Sequence, residues 1–144
     1  MSPTKETTKT VLLVDDDPDA LEQMKAALAS EPYELLTAES SEAAEELLLS
    51  REPDLAVLDL VMEQPDAGFV LCYRLKKLYP STPVIILNAV AATAGLDFTP
   101  HTAEERAWVK AELVLAKPVI AERLRYEARR FTVEKGRAAE EPAA

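Results

Sequence analysis

Acidic and basic side chains follow three short apolar runs of this sequence, and these side chains could do chemistry together. Asp15 and Asp16 follow one run, Asp59 follows a second, and Lys117 follows a third. Runs of this length that are rich in valine and leucine are typical of buried parallel strands. The carboxyl ends of parallel strands share one edge of the sheet, and ligands bind at that edge. If the three strands are neighbours, three carboxylates and one ammonium meet in one small volume.

This cluster predicts a cation site. Three carboxylates that lie together repel one another unless a cation sits among them, and an all-oxygen cluster suits Mg2+. The alternative is that Asp15, Asp16 and Asp17 only stabilise the start of a helix, where aspartate is favourable. That alternative explains Asp17, which precedes a proline. For the other two we favour the site, because strongly coupled charges in a cleft are more often functional.

Composition limits the other classes of function. The chain has 144 residues, which fits one domain, and a formal net charge of −10. That charge argues against non-specific binding to nucleic acid or to anionic membranes, since both need a basic patch. Its single cysteine, Cys72, follows apolar residues and is interpreted as part of the core. No apolar run is long enough to span a membrane, so we expect a cytoplasmic protein.

Apolar periodicity and capping residues predict alternating strands and helices. This βαβ pattern predicts a parallel sheet with helices on both faces and right-handed crossovers. Within the helices, Leu78 and Ile120 are expected to face inward. Residues 89–100 carry too few large apolar side chains for a long amphipathic helix, and Thr102 with Glu105 could cap a short helix that ends near Lys110. The predicted strands are residues 10–14, 33–38, 55–59, 84–87 and 113–116, and the helices are residues 18–30, a segment capped by Ser40 or Ser41, a segment that Gly68 precedes and a segment opened by Pro118.

Five motifs occur in a characteristic order, and they are specific for one family only when they are taken together. Together they resemble a response-regulator receiver domain of the single-domain kind, over roughly residues 10–132. The motifs are VLLVDDDPD at 11–19, LAVLDLVM at 55–62, the pair Gly68-Phe69, PVIILNA at 83–89 and LAKPV at 115–119.

The resemblance implies a fold and a domain organisation. The fold is α/β, a doubly wound, flavodoxin-like parallel sheet of five strands in the order 2-1-3-4-5. The receiver domain is expected at residues 10–133, between a disordered leader at 1–9 and a disordered tail at 134–144. The helix that normally lies between strands 4 and 5 is expected to be shortened or irregular.

The resemblance also implies a phosphoryl-transfer switch. A sensor histidine kinase or a histidine phosphotransfer protein would donate a phosphoryl group to Asp59. Mg2+ would be held by Asp15, Asp16, Asp59 and the backbone carbonyl of Val61, and Lys117 would pair with the phosphoryl oxygens. The signal would pass to a downstream protein through protein contacts. The chain would at most dephosphorylate itself slowly and would not be a dedicated enzyme.

Several positions depart from the family pattern. Asn88 stands where the family usually has threonine or serine, and Val114 stands where many members have an aromatic residue. The long segment 89–111 is therefore hypothesised to carry the output signal, alone or with the last helix. Val61 and Val90 flank the expected phosphoryl group, and apolar side chains there predict a phosphoaspartate that persists for minutes to hours or more.

Three other functions were weighed. A degenerate receiver that acts as an interaction module without phosphorylation is motivated by Asn88. A phosphohydrolase of the haloacid-dehalogenase type is suggested by the spacing of Asp15 and Asp17, but Asp19 does not fit its pattern. A dinucleotide-binding fold fails because no glycine-rich loop follows the first strand. The arginine-rich final helix is interpreted as a solvated face, and its alternative is a partner contact or a homodimer.

Overall fold

Strands and helices alternate along the part of the chain that the computed structural model describes, which is residues 8–62, 67–88 and 111–133. Most predicted boundaries agree to within two residues. The first strand begins at Lys9, which the prediction assigned to the leader, and the fourth extends to Asn88. The elements are β1 (Lys9–Val14), α1 (Pro18–Leu28), β2 (Tyr33–Ala38), α2 (Ser41–Leu48), β3 (Leu55–Asp59), α3 (Ala67–Leu78), β4 (Val84–Asn88), β5 (Leu113–Ala116) and α4 (Ala121–Val133).

The five strands form one parallel sheet in the order β2-β1-β3-β4-β5, which confirms the predicted topology. The register pairs Val14 of β1 with Leu58 of β3. It pairs Asp59 of β3 with Leu87 of β4. The carboxyl ends of the central strands therefore lie side by side, and the residues that follow them share one edge of the sheet.

Two apolar layers cover the two faces of the sheet. Alternate strand residues face opposite sides, so Leu12 and Val14 pack with α2 and α3, whereas Val11 and Leu13 pack with α1 and α4. All residues of β3 and β4 are buried. Because both faces of these strands are buried, their sequences are continuous apolar runs and do not alternate between apolar and polar residues. Cys72 is buried in the layer of α2 and α3, as predicted.

Side-chain caps fix where the first two helices begin. The Asp17 carboxylate accepts a hydrogen bond from the Asp19 amide at 3.0 Å, and Pro18 occupies the first helical position. Ser40, rather than Ser41, caps α2, because its hydroxyl accepts a hydrogen bond from the Ala43 amide at 3.0 Å. The start of α1 directly after Asp17 holds the acidic residues at the edge of the sheet.

Two predicted inward-facing residues are exposed instead. Leu78 is 51% exposed at the last residue of α3, where the helix ends. Ile120 is 66% exposed and precedes the first residue of α4, so helical spacing does not apply to it. Leu124, which the same pattern placed inward, is buried as predicted.

The last helix is attached to the first half of the chain by polar contacts. The Arg125 guanidinium donates to the Ala27 carbonyl at 3.0 Å. Two guanidinium nitrogens of Arg129 contact the two carboxylate oxygens of Glu31, at 3.1 and 2.8 Å. The predicted pair within the helix, Arg123 with Glu127, is confirmed at 2.9 Å. These contacts anchor α4 beside α1.

Several predictions fall outside the described residues. They are the predicted leader apart from its last two residues, the tail at 134–144, and the irregular segment 89–110 with Val90. Within residues 8–62, 67–88 and 111–133, no helix has both the length and the apolar character that a membrane span requires.

Candidate functional site

The predicted convergence of charged residues is confirmed at the carboxyl edge of the sheet. Asp15 and Asp16 follow β1, Asp59 ends β3, and Lys117 follows β5. One carboxylate oxygen from each aspartate lies within 4.8 Å of the others. Asp15 and Asp59 are buried, whereas Asp16 is exposed. The site is therefore a partly enclosed acidic cluster that opens to solvent on the side of Asp16.

Lys117 joins the two buried carboxylates. Its ammonium lies 2.9 Å from Asp15 Oδ2 and 3.3 Å from Asp59 Oδ1. The Lys117 backbone amide also donates to the carbonyl of Asn88, at 3.3 Å. This last contact fixes the start of the loop after β5, from which the Lys117 side chain reaches the cluster.

Asp15 is held by backbone as well as by side-chain contacts. Its amide donates to the Ala38 carbonyl at 3.2 Å. Its Oδ1 accepts a hydrogen bond from the Asp17 amide at 3.0 Å, which leaves Oδ2 for Lys117. Because both oxygens have defined partners, Asp15 provides a fixed negative charge against which the other groups are arranged.

Burial and charge shift the pKa values of Asp59 and Lys117. Burial raises the pKa of Asp59 to about 6, the nearby charge of Asp15 adds to the rise, and Lys117 opposes it. For Lys117, burial is the largest single influence and lowers the pKa. The hydrogen bond and charge of Asp15, together with those of Asp59, outweigh burial, so the pKa of Lys117 lies above its usual value. The cluster is therefore short of positive charge.

The two remaining predicted site residues lie beside this cluster in sequence and in the sheet. Asn88 is the last residue of β4 and is fully buried. It pairs in register with Ala116, the residue before Lys117. Val61 lies two residues beyond Asp59, and its side chain is 37% exposed.

Gly68 supports the site in a way that the sequence did not predict. A Cβ atom at this position would lie 2.5 Å from the Asp59 carbonyl oxygen and 2.6 Å from Leu60 Cα. The Gly68 amide also donates to the Leu60 carbonyl at 2.7 Å. The start of α3 therefore packs directly against the backbone at Asp59, and only glycine allows that approach.

The comparisons with known proteins place the chain in a family. The model of the response regulator receiver domain matches residues 11–129. The chain belongs to this family. Among its relatives, the heme response regulator HssR of Staphylococcus aureus is 44% identical over 78 residues, which are 54% of this chain and 34% of HssR. The transcriptional regulatory protein GlrR of Escherichia coli is 42% identical over 79 residues, which are 55% of this chain and 18% of GlrR.

Solved receiver-domain structures share the fold. The CheY-like receiver domain of Methanospirillum hungatei has a TM-score of 0.73 at 22% identity, covering 90% of this chain and 97% of that one. The signal receiver domain of an HD domain-containing protein from Pseudomonas fluorescens has a TM-score of 0.72 at 26% identity, covering 90% of this chain and 98% of that one. The described sheet order of this receiver domain agrees with a flavodoxin-like fold.

The donor set of this receiver domain fits the divalent cation that its family binds at an acidic pocket. Asp15, Asp16 and Asp59 offer only oxygen atoms, which Mg2+ prefers, and these oxygens are close enough to share one ion. A divalent cation would also supply the positive charge that the cluster lacks. Since Asp16 is exposed, an ion has a route of entry from solvent.

Proposed function

We propose that this receiver domain is the phosphoacceptor of a two-component phosphorelay and that Asp59 receives the phosphoryl group from a phosphohistidine. The observation that carries the proposal is the position of Asp59, whose buried carboxylate lies 3.3 Å from the Lys117 ammonium that it shares with Asp15. Lys117 is proposed to contact the transferred group, and the neighbouring carboxylates are proposed to bind a cation. Together the ammonium and a bound cation would neutralise the charge of the transferring phosphoryl group.

The transfer exchanges one bond to phosphorus for another. A carboxylate oxygen of Asp59 forms a bond to phosphorus as the bond from phosphorus to the histidine nitrogen breaks. The electron pair of the broken bond stays on that nitrogen, and the imidazole leaves neutral because the other ring nitrogen of the phosphohistidine carries a proton. Lys117 donates hydrogen bonds to the phosphoryl oxygens and must loosen its contacts with Asp15 and Asp59 to do so. Asn88 provides an amide beside the site, where its family usually has a hydroxyl.

Mg2+ is proposed to be held by Asp15, Asp16, Asp59 and the backbone carbonyl of Val61. When bound, it neutralises negative charge on the transferring group. The aspartates orient that ion, and the fixed position of Asp15 limits how far the cluster can rearrange. The shape of the cluster, open at Asp16, allows a phosphodonor to approach from solvent.

The proposed donor is a sensor histidine kinase or a histidine phosphotransfer protein, and the proposed output is a contact with a downstream protein. A net charge of −10 argues against nucleic acid and anionic membranes as direct partners. The matched part is only 34% of HssR and 18% of GlrR, so the activities of these relatives lie partly in regions that this chain does not match. We propose a cytoplasmic location, and a homodimer is one form that the output contact could take.

Intact mass spectrometry tests the proposal. After incubation with acetyl phosphate and Mg2+, the wild-type protein should gain one phosphoryl group, and chelation of Mg2+ should prevent the gain. Asp59→Asn should gain none, whereas Asp54→Asn, a substitution distant from the cluster, should behave as wild type. A wild-type protein that gains no phosphoryl group and binds no Mg2+ would favour the interaction module that works without phosphorylation.

Val61→Asn is predicted to shorten the lifetime of the phosphoprotein. The apolar Val61 side chain cannot orient water, whereas an amide can donate and accept hydrogen bonds next to the phosphoryl group. We expect the dephosphorylation rate to rise roughly tenfold, which corresponds to about 1.4 kcal/mol of barrier. The rate is measured as loss of the phosphorylated mass after the donor is removed. Val61→Ala is the control for side-chain size, and an unchanged rate in Val61→Asn would refute the explanation.

A further inference from the structure

A cavity of about 380 Å3 lies between α1 and α4 and reaches the acidic cluster. Small-molecule sites in proteins have volumes of roughly 300–1,000 Å3, so this cavity is large enough for a small ligand. Leu87 of β4 contributes to its wall, and so do Asp15 and Lys117 at the edge of the sheet. The cavity is thus a separate space that shares two residues with the phosphoacceptor site.

Small side chains on α1 create this space. Ala20, Met24 and Ala27 line the cavity at helical spacing, and Val119 and Leu124 line it from the segment around the start of α4. Alanine at two of the four α1 positions that line the cavity leaves room that a larger side chain would fill. The walls are therefore mostly apolar and favour a compact apolar molecule.

Polar groups are confined to a small part of the lining. Gln23 is the one uncharged polar side chain among the lining residues, and Asp15 with Lys117 forms the charged part. The ammonium of Lys117 is already paired with two carboxylates. An anionic ligand would meet an excess of negative charge, and a cationic ligand would meet Lys117 and apolar walls, where an unpaired charge is costly. A neutral group that donates and accepts hydrogen bonds suits this lining best.

We propose that the cavity binds a small neutral amphiphile, with a compact apolar body and one amide-like group that faces the polar part of the lining. This site goes beyond phosphoryl acceptance, because its ligand does not react. Since Asp15 and Lys117 belong to both sites, occupation of the cavity alters the affinity of the cluster for Mg2+, and Mg2+ alters the affinity for the ligand by the same factor.

Three probes of equal size and different charge test the class of ligand. Benzamide, benzoate and benzylammonium are titrated separately into 15N-labelled protein, and backbone amide shifts are followed by NMR. We expect saturable shifts around Ala20, Val119 and Lys117 with benzamide, and at least roughly tenfold weaker binding of the two charged probes. Shifts confined to other surfaces, or benzoate as the tightest probe, would overturn the proposal.

Two alanine-to-leucine substitutions on one helix test the place of binding. Ala20→Leu fills the cavity and should weaken benzamide at least roughly tenfold, since the probe and the new side chain need the same space. Ala26→Leu makes the same change at an exposed position of α1 outside the lining and should leave binding unchanged. Gln23→Leu, a change at an exposed residue, should also weaken benzamide. Equal affinity in Ala20→Leu, Ala26→Leu and wild type would refute the site.

Titration of benzamide with and without Mg2+ tests the link between the two sites. Mg2+ competes with Lys117 for the carboxylates, so the ammonium gains the freedom to donate to an amide oxygen in the cavity. We therefore expect Mg2+ to tighten benzamide binding about threefold or more. The same benzamide affinity in both titrations would refute the link between the two sites. This result does not depend on whether the protein can be phosphorylated, because no phosphodonor is present.

Discussion

Asp59→Asn is expected to raise the free energy of unfolding by about 3 kcal/mol near neutral pH when no divalent cation is present. The substitution removes the proposed phosphoacceptor and nevertheless should make the protein more stable. The reason is that the cluster places three carboxylates around one ammonium. An amide at position 59 keeps nearly the same shape, removes one of the repelling charges and leaves Lys117 paired with Asp15.

The pH dependence of this effect follows from the pKa of Asp59. Its value of about 6 in the folded protein lies above the ordinary value of 3.8. The folded protein therefore binds this proton more tightly than the unfolded chain does. The stabilisation that the proton provides is complete below the ordinary value and is lost as the pH rises through about 6. A difference of about two pKa units corresponds to about 3 kcal/mol.

Urea unfolding measures this effect at acidic and at near-neutral pH in the presence of a chelator. The difference between Asp59→Asn and wild type should be small at low pH, should grow as the pH rises from 3.8 to about 6, and should then level off. Asp16→Asn is the matched control: it removes an exposed carboxylate of the same cluster and should change stability much less. Mg2+ should stabilise wild type more than Asp59→Asn. An Asp59→Asn protein less stable than wild type near neutral pH would show that repulsion does not dominate.

Gly68→Ala is the second substitution for which we expect a large effect on stability. It should lower the free energy of unfolding by about 2–3 kcal/mol. In an ordinary helix the same change stabilises by about 0.5–1 kcal/mol. Here the added Cβ would lie 2.5 Å from the Asp59 carbonyl oxygen, and neither backbone can move without shifting the end of β3. The displacement should also slow phosphorylation of Asp59, because the carboxylate would leave its position beside Lys117.

A second position on the same helix provides the control. Arg74 is exposed in the middle of α3. Arg74→Ala should therefore be more stable than Arg74→Gly, because alanine favours a helix more than glycine does. At position 68 the order should be reversed, with glycine more stable than alanine. Chemical unfolding of the four proteins measures both orders. If alanine were also the more stable residue at position 68, the close packing of α3 against β3 would be wrong.

Much of the fold was predictable because the strands are buried on both faces. β2, β3 and β5 begin and end at the predicted residues, since each apolar run stops at a charged or helix-capping residue. The two wrong predictions of burial concern residues at or beyond the end of a helix, where helical spacing no longer determines which way a side chain faces. Leu78 is the last residue of its helix, and Ile120 precedes its helix, so spacing alone gave both a wrong orientation.

The sequence predicted which residues form the site, but it did not predict their pKa values. Asp15, Asp59 and Lys117 follow strands, and the parallel topology brings them together. Their burial decides their pKa values, and burial depends on how helices cover the edge of the sheet. The contact between Gly68 and the Asp59 backbone depends on the path of α3, which residue spacing does not encode. The cavity between α1 and α4 is likewise a property of packing.

The position of β5 at the edge of the sheet has a consequence for local unfolding. In the described sheet this strand of four residues pairs only with β4, and its lysine lies 102 residues from Asp15 along the chain. Short edge strands open at lower free energy than central strands, so hydrogen exchange should proceed faster in β5 than in β1 or β3. Such an opening removes the ammonium and leaves the carboxylates in place. We therefore expect the protein to sample a state that keeps the three carboxylates together but lacks Lys117, the residue proposed to contact the phosphoryl group.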